Sequence, residues 1–221
     1  AVRVSGIVQG VGFRPAVWRI ANAAALNGNV YNDGQGVVIH LWGKSKTINY
    51  FISELKNNLP PLARIDNIQR SILHVDDAPE EFTITPSEHN AVQTNVTPDA
   101  AVCANCLVDI FDPLGRRYRY PLTNCTHCGP RFSIVEAIPY DRANTSMKTF
   151  ALCDDCTEEY TSPNDRRFHA QPNACYMCGP KVVFERIDDS AVCIESLSQL
   201  DEVDSACTVL QNGGIVAGAT G

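Results

Sequence analysis

The first 86 residues change hydrophobic period several times. RVSGIV (3–8) reads as a strand, and it runs into the glycine-rich turn QGVGFR (9–14). Pro15 suits the first turn of a helix. Val17, Ile20, Ala21 and Ala24 then recur at helical spacing until Asn27-Gly28 closes it. NVYND (29–33) and GVVIHLW (36–42) read as two strands joined through Asp33-Gly34-Gln35, a hairpin signal. Ile48, Phe51, Ile52, Leu55 and Leu59 fall at i, i+3, i+4, i+7 and i+11, the stripe of an amphipathic helix, and Pro60-Pro61 stops it. Strands follow around 65–75 and 81–85. The order βαββαβ is the split-βαβ, ferredoxin-like plan of the α+β class, an antiparallel sheet with two helices on one face.

After that the pattern breaks. Residues 1–86 contain no cysteine, whereas 103–178 contain eight of the ten. The polar stretch SEHNAVQTNVTPD (87–99) reads as a linker, which sets expected segments at 1–90, 91–185 and 186–221. The middle segment is a tandem repeat: CANCLVDIFDPLGRRYRYPLTNCTHCGP (103–130) aligns without gaps to CDDCTEEYTSPNDRRFHAQPNACYMCGP (153–180), an offset of 50 residues. Both copies keep CxxC, a proline (Pro113, Pro163), Arg-Arg-aromatic and CxxCGP.

Each copy is C-x2-C-x18-C-x2-C. A two-residue gap lets both thiolates of a knuckle face one ion, and two knuckles complete a closed tetrathiolate, the structural zinc pattern. Cys103, Cys106, Cys125 and Cys128, and Cys153, Cys156, Cys175 and Cys178, are the expected ligands of two structural zinc ions. Pairing within each copy is favoured because each already holds a complete set; crossed pairing is the alternative, and redox or disulfide CxxC pairs are another. His127, inside a knuckle, reads as a bystander. His169 is a candidate ligand or partner of one. Cys193 and Cys207 read as small buried residues.

Composition narrows the choice of partner. The chain has 221 residues, is 44% apolar and carries a net charge of −7. The acidic balance argues against nucleic acid, so Arg116, Arg117, Arg119, Arg166 and Arg167 read as a solvated basic face. No apolar run approaches the ~18 residues of a membrane span, and no secretory leader opens the sequence. A cytoplasmic setting is expected, which favours metal over disulfide. Residues 190–212 read as partly helical. Ile215-Val216-Ala217 resemble a strand just begun, which suggests a piece of a longer protein.

Gly6, Gly10 and Gly12 punctuate SGIVQGVGFR (5–14), which is neither a Walker loop nor a dinucleotide fingerprint. Its glycines allow successive N–H groups to converge on an anion, the following helix adds its N-terminal dipole, and Arg14 offers two parallel hydrogen bonds to a phosphate. A plain strand-to-helix turn with an exposed arginine is the alternative.

VxGxVQGVGFRP followed by NVYNDGQGVVI resembles the signature of acylphosphatases, whose order is also βαββαβ. The resemblance implies a phosphate loop at Gln9, Gly10, Val11, Gly12, Phe13 and Arg14, with Arg14 holding the phosphate and Asn32 orienting the attacking water. Asn32 also has a reading as a turn residue. With the cysteine repeats, RRYRYPLTNCTHCGPRF, PYDR (139–142) and DRRFHAQPNACYMCGP added, the whole chain resembles the HypF family, carbamoyltransferases of nickel–iron hydrogenase maturation. That resemblance implies cleavage of carbamoyl phosphate here. In the full-length protein it implies ATP-dependent transfer of the carbamoyl group to the C-terminal cysteine of a partner maturation protein. QNGGIVA near the end is similar to the opening of the family's YrdC-like domain, but Gly218-Ala219-Thr220-Gly221 lacks the expected lysine, so no nucleotide-site residue is assigned there. A stand-alone acylphosphatase with a zinc appendage and a non-catalytic, zinc-dependent docking module are the alternative readings.

Overall fold

β1 (Val2–Ile7) lies between two antiparallel neighbours, β3 (Gly36–Trp42) with Val2 opposite Ile39 and Val4 opposite Val37, and β4 (Arg64–Arg70). β2 (Asn27–Asp33) forms the expected hairpin with β3, closing at Asp33 opposite Gly36. The structure, a computed structural model, describes residues 1–73, 77–88, 90–91, 94–185 and 201–218. Strand order is β4-β1-β3-β2-β5. The sheet is not wholly antiparallel as expected, because β5 (Phe82–Ile84) runs parallel to β2 and extends that edge.

Helices α1 (Phe13–Ala23) and α2 (Ser45–Asn57) cover one face. Phe13, Val17, Ala21, Phe51, Ile52 and Leu55 pack against Val2, Val4, Val30, Val37, Ile39 and Leu41, alternate positions that period-2 geometry turns to the same side. Full burial of each such side chain is worth about 1.5–3 kcal/mol. The same packing fixes where α1 begins, directly beneath the glycine turn.

Described residues of the stretch 87–99, read as a linker, bond back to the first segment. The Glu88 N–H donates to the Asn32 carbonyl, Asn90 bonds Gly34 and Asp33, and the Thr97 hydroxyl donates to the Gln9 carbonyl at 2.8 Å. The Thr94 N–H also donates to the Gly34 carbonyl, so the described residues of this segment are tied to the β2–β3 hairpin and, through Thr97, to the glycine turn. Residues 1–179 make one compact unit, and the described residues beyond Gly179 belong to a second.

The repeats fold alike. Helix α3 (Ala104–Phe111) follows Cys103 directly, as α4 (Asp154–Thr161) follows Cys153, and Arg119 and His169, 50 apart, share a left-handed backbone (φ 58° and 55°). In the second unit, α5 (Glu202–Gln211) is capped by the Asp201 carboxylate, which accepts from the Asp204 N–H at 2.8 Å. Cys207 is exposed on this helix rather than buried, since it lies off the side that buries Ser205 and Val209. Ile215–Ala217 form no strand, and Ile215 is exposed. Cys193 lies outside the described residues. Among those residues, no helix is long and apolar enough to cross a membrane.

Candidate functional site

Gly10 (φ 71°) and Gly12 (φ 76°) both take left-handed backbone, which an L side chain adopts only at a cost. Gly12 is also the residue before α1, so the turn delivers the unpaired N–H groups of the first helical turn to one spot. Arg14 projects from that turn and is buried. Asn32, at the end of β2, is buried beside it. With its amide turned so that oxygen faces the guanidinium, Asn32 accepts from Arg14 Nη2 at 3.1 Å and Nε at 3.2 Å. The loop and the strand thus converge, as the family resemblance implied. Gln9, Gly10, Gly12, Phe13, Arg14 and Asn32 line one small cavity. Val11 is not among its lining residues; it is fully buried in the apolar core.

Gln9 is a brace. Its amide nitrogen donates to the carbonyls of Asp33 (2.7 Å) and Gly36 (2.8 Å), and its oxygen accepts from the Tyr140 N–H at 3.0 Å. Asp33 anchors the same hairpin. Burial opposes its charge, but hydrogen bonds from Arg3, the Gln35 N–H and Asn90 hold its carboxyl below the usual range.

The cavity has a roof that the first segment does not supply. Thr126, Arg131, Tyr140 and residues 169–172 line its other side. Arg131 is fully buried; its guanidinium donates to the Gly10 carbonyl and to the carbonyls of Cys125, Thr126, Cys128 and Pro130. One side chain therefore ties the glycine turn to the first cysteine knuckle. Arg14 reaches the same region: Nη2 donates to Asp141 Oδ1 at 2.6 Å and to the Tyr140 carbonyl at 3.3 Å, while Nη1 donates to Ser87 Oγ at 3.3 Å. His169 belongs to this roof and to neither cysteine cluster. Burial, and then the Arg14 charge, push it down to about 4, so it is neutral at pH 7.

Each repeat gathers its own four sulfurs, all ligand atoms within 4.8 Å of one another, so pairing lies within copies. Neighbouring sulfurs stand 3.7 Å (Cys103–Cys125), 3.8 Å (Cys125–Cys128), 3.7 Å (Cys153–Cys175) and 3.9 Å (Cys175–Cys178) apart. A tetrahedron with metal–sulfur bonds of about 2.3 Å has edges of about 3.8 Å. The donor set and its spacing therefore fit a tetrathiolate metal centre. His127 is exposed and contributes its backbone N–H to Cys125 Sγ, consistent with a bystander.

One arginine of each pair leaves the solvated face expected of it, while Arg116 stays exposed and Arg166 half-buried. Arg117 and Arg167 are both nearly fully buried, and each serves the other repeat. Arg117 forks onto Glu159 at 2.8 and 2.6 Å, while Arg167 bonds Asp109, the residue 50 positions before Glu159. Arg117 Nε donates to the Ala174 carbonyl at 2.9 Å, and Arg167 Nε to the equivalent Asn124 carbonyl at 3.0 Å. Arg116 donates to Cys156 Sγ at 3.2 Å, and Arg166 to Cys106 Sγ at 2.8 Å. Burying guanidinium demands such partners. Four thiolates around a divalent ion leave two net negative charges, which the donors of the opposite repeat offset.

Sequence reasoning placed Arg14, Asn32 and the cysteines where they meet. It missed Arg131, Tyr140 and Asp141, although PYDR stood out as a motif, because their partners lie over 100 residues away.

The acylphosphatase family model matches residues 1–84, and the HypF finger model matches 102–135 and 152–185. The carbamoyltransferase HypF of Rhodobacter capsulatus is 51% identical over 151 residues, covering 68% of this chain and 20% of that protein. The acylphosphatase of Thermotoga maritima is 37% identical over 84 residues, 38% of this chain and 91% of that one. A crystal structure of full-length HypF in a phosphate- and nucleotide-bound form superposes with a TM-score of 0.84 at 46% identity, covering 96% of this chain and 27% of that chain. The chain thus spans about a fifth of the length of the curated HypF relative. It belongs to the acylphosphatase family through residues 1–84 and joins that domain to paired HypF fingers, so that it fits an N-terminal segment of a HypF protein.

Proposed function

We propose that residues 1–179 bind an acyl phosphate, carbamoyl phosphate above all, and hydrolyse it to carbamate and inorganic phosphate. The loop amides and Arg14 grip the phosphoryl group, and Asn32 orients the water that attacks phosphorus as the bond to the carbamate oxygen breaks. An acyl phosphate is already activated, so placement and charge stabilisation suffice without a strong base. The observation that carries this reading is the convergence of Asn32 and the Arg14 guanidinium, 3.1 Å apart, at the glycine turn that opens α1.

The two tetrathiolate centres hold zinc in a structural role, since four sulfurs leave no coordination position for substrate. In a longer protein of the relatives' kind, carbamate would pass to an ATP-dependent step and then to the cysteine thiolate of a partner maturation protein. A reducing cytoplasm suits the nine free cysteines found among the described residues. The test is phosphate release from carbamoyl and acetyl phosphate. Arg14→Ala is expected to lower kcat/KM by at least about 10³-fold and Asn32→Ala by about 10²-fold; wild-type rates in either variant would refute the assignment.

A further inference from the structure

Arg14 is almost fully engaged before any substrate arrives. A guanidinium has five N–H donors. Nε faces Asn32, Nη2 serves Asp141 and the Tyr140 carbonyl, and Nη1 serves Ser87. Four of the five are thereby committed, and a two-pronged grip on phosphate needs two, so at least one partner must yield. Asp141 is the one to yield. Among these partners it alone carries a charge, and its side chain is 25% exposed against 9% for Arg14. Among the described residues no other side-chain or main-chain donor holds its carboxylate: Asp141 precedes a short 3-10 turn, Arg142–Asn144, without capping it by its side chain. The backbone beside it is fixed, because the Arg142 side chain donates to the carbonyls of Gln171, Asn173 and Phe150 and its N–H to Gln171. A rotation of the Asp141 side chain is enough to release the guanidinium.

Resting on the function proposed above, we infer that Asp141 is a specificity-determining residue: a tethered carboxylate that occupies Arg14 and admits only an anion that outcompetes it. A dianionic phosphoryl group does so through its second charge and the loop N–H groups. A free monoanionic carboxylate offers Arg14 no more than Asp141 already does, and it lacks the tether's effective concentration. The finger segment thus screens the cradle against carboxylates, including the carbamate that hydrolysis leaves behind.

The test is calorimetric titration of inorganic phosphate and of acetate into the zinc-loaded 221-residue chain, as wild type, Asp141→Asn and Asp141→Ser, with Arg14→Ala as the blank. Both Asp141 variants are expected to bind phosphate about tenfold tighter and to gain acetate binding, with KM for acetyl phosphate falling in proportion. Unchanged or weaker phosphate binding in both variants would overturn the inference, and would mark Asp141 as a support for Arg14. The two readings separate cleanly. If the wild type cleaves no acyl phosphate yet the variants bind phosphate more tightly, the hydrolase reading falls and the carboxylate screen stands. If cleavage is intact and Arg14-dependent but phosphate affinity does not rise, the screen alone falls.

Discussion

Arg117→Met removes one guanidinium and keeps most of the apolar stem. In the structure that guanidinium is buried and makes four kinds of contact: a fork on Glu159, Asn173 Oδ1 at 2.9 Å, the Ala174 carbonyl, and Cys156 Sγ at 3.5 Å. Breaking a buried pair from one side costs about 3–5 kcal/mol because the other charge is stranded. Glu159 would not be wholly stranded, since Arg116 stands 2.6 Å and Arg167 3.7 Å from its carboxylate. A loss of about 2–4 kcal/mol remains, or a melting temperature lower by about 5–12 °C for a unit of this size. The repeats exchange these contacts, so the damage should appear on the far side. Zinc should leave the Cys153, Cys156, Cys175 and Cys178 centre faster, giving two phases in a chelator competition where the wild type gives slower release. Arg117→Met combined with Glu159→Gln should recover part of the stability, because no lone charge is then buried. Differential scanning calorimetry and chelator kinetics on the zinc-loaded chain read both effects. A melt within 2 °C of wild type, with both ions lost at wild-type rates, would refute the idea that each repeat stabilises the other's metal centre.

Two further outcomes follow from the cradle. Gly12→Ala places a Cβ 3.0 Å from the Thr126 Cβ on a left-handed backbone, so it should cost about 1–2 kcal/mol in a thermal melt and lower acyl-phosphate turnover by disordering the loop amides. His169 is held neutral, at about 4 against an ordinary 6.5, by burial and then by Arg14. As pH falls from 6.5 to 4 the unfolded chain takes up a proton that the folded site refuses, so stability is lost across that window and is unaffected above it. His169→Gln should flatten that part of the stability-against-pH curve by roughly 2 kcal/mol, read as the wild-type-minus-variant difference in denaturant midpoints; parallel curves would show that the histidine titrates normally.

Much of this protein could be read locally. Val17, Ile20 and Ala21 announced α1, Asp33-Gly34 announced the hairpin, and the 50-residue offset announced twin metal sites, because helix period, turn chemistry and knuckle spacing are all short-range constraints. The family resemblance of QGVGFR and NVYND paired Arg14 with Asn32, and the two side chains do meet, 3.1 Å apart. What local pattern could not reveal was which surfaces face each other. The RR pairs read as solvated because charge normally seeks water, and only the reciprocal packing of the two repeats shows that their partners are the opposite carboxylate and thiolates. Likewise PYDR carried no assigned chemistry, and His169 of HAQP stood only as a candidate metal ligand, until the chain returned, 127 residues after Arg14, to set Asp141 on its guanidinium and to roof the cradle. Sequence by itself determined the parts, through spacings of a few residues. Tertiary structure decided which charges are paired and which cavity they enclose, because those energies depend on burial and on groups far apart along the chain.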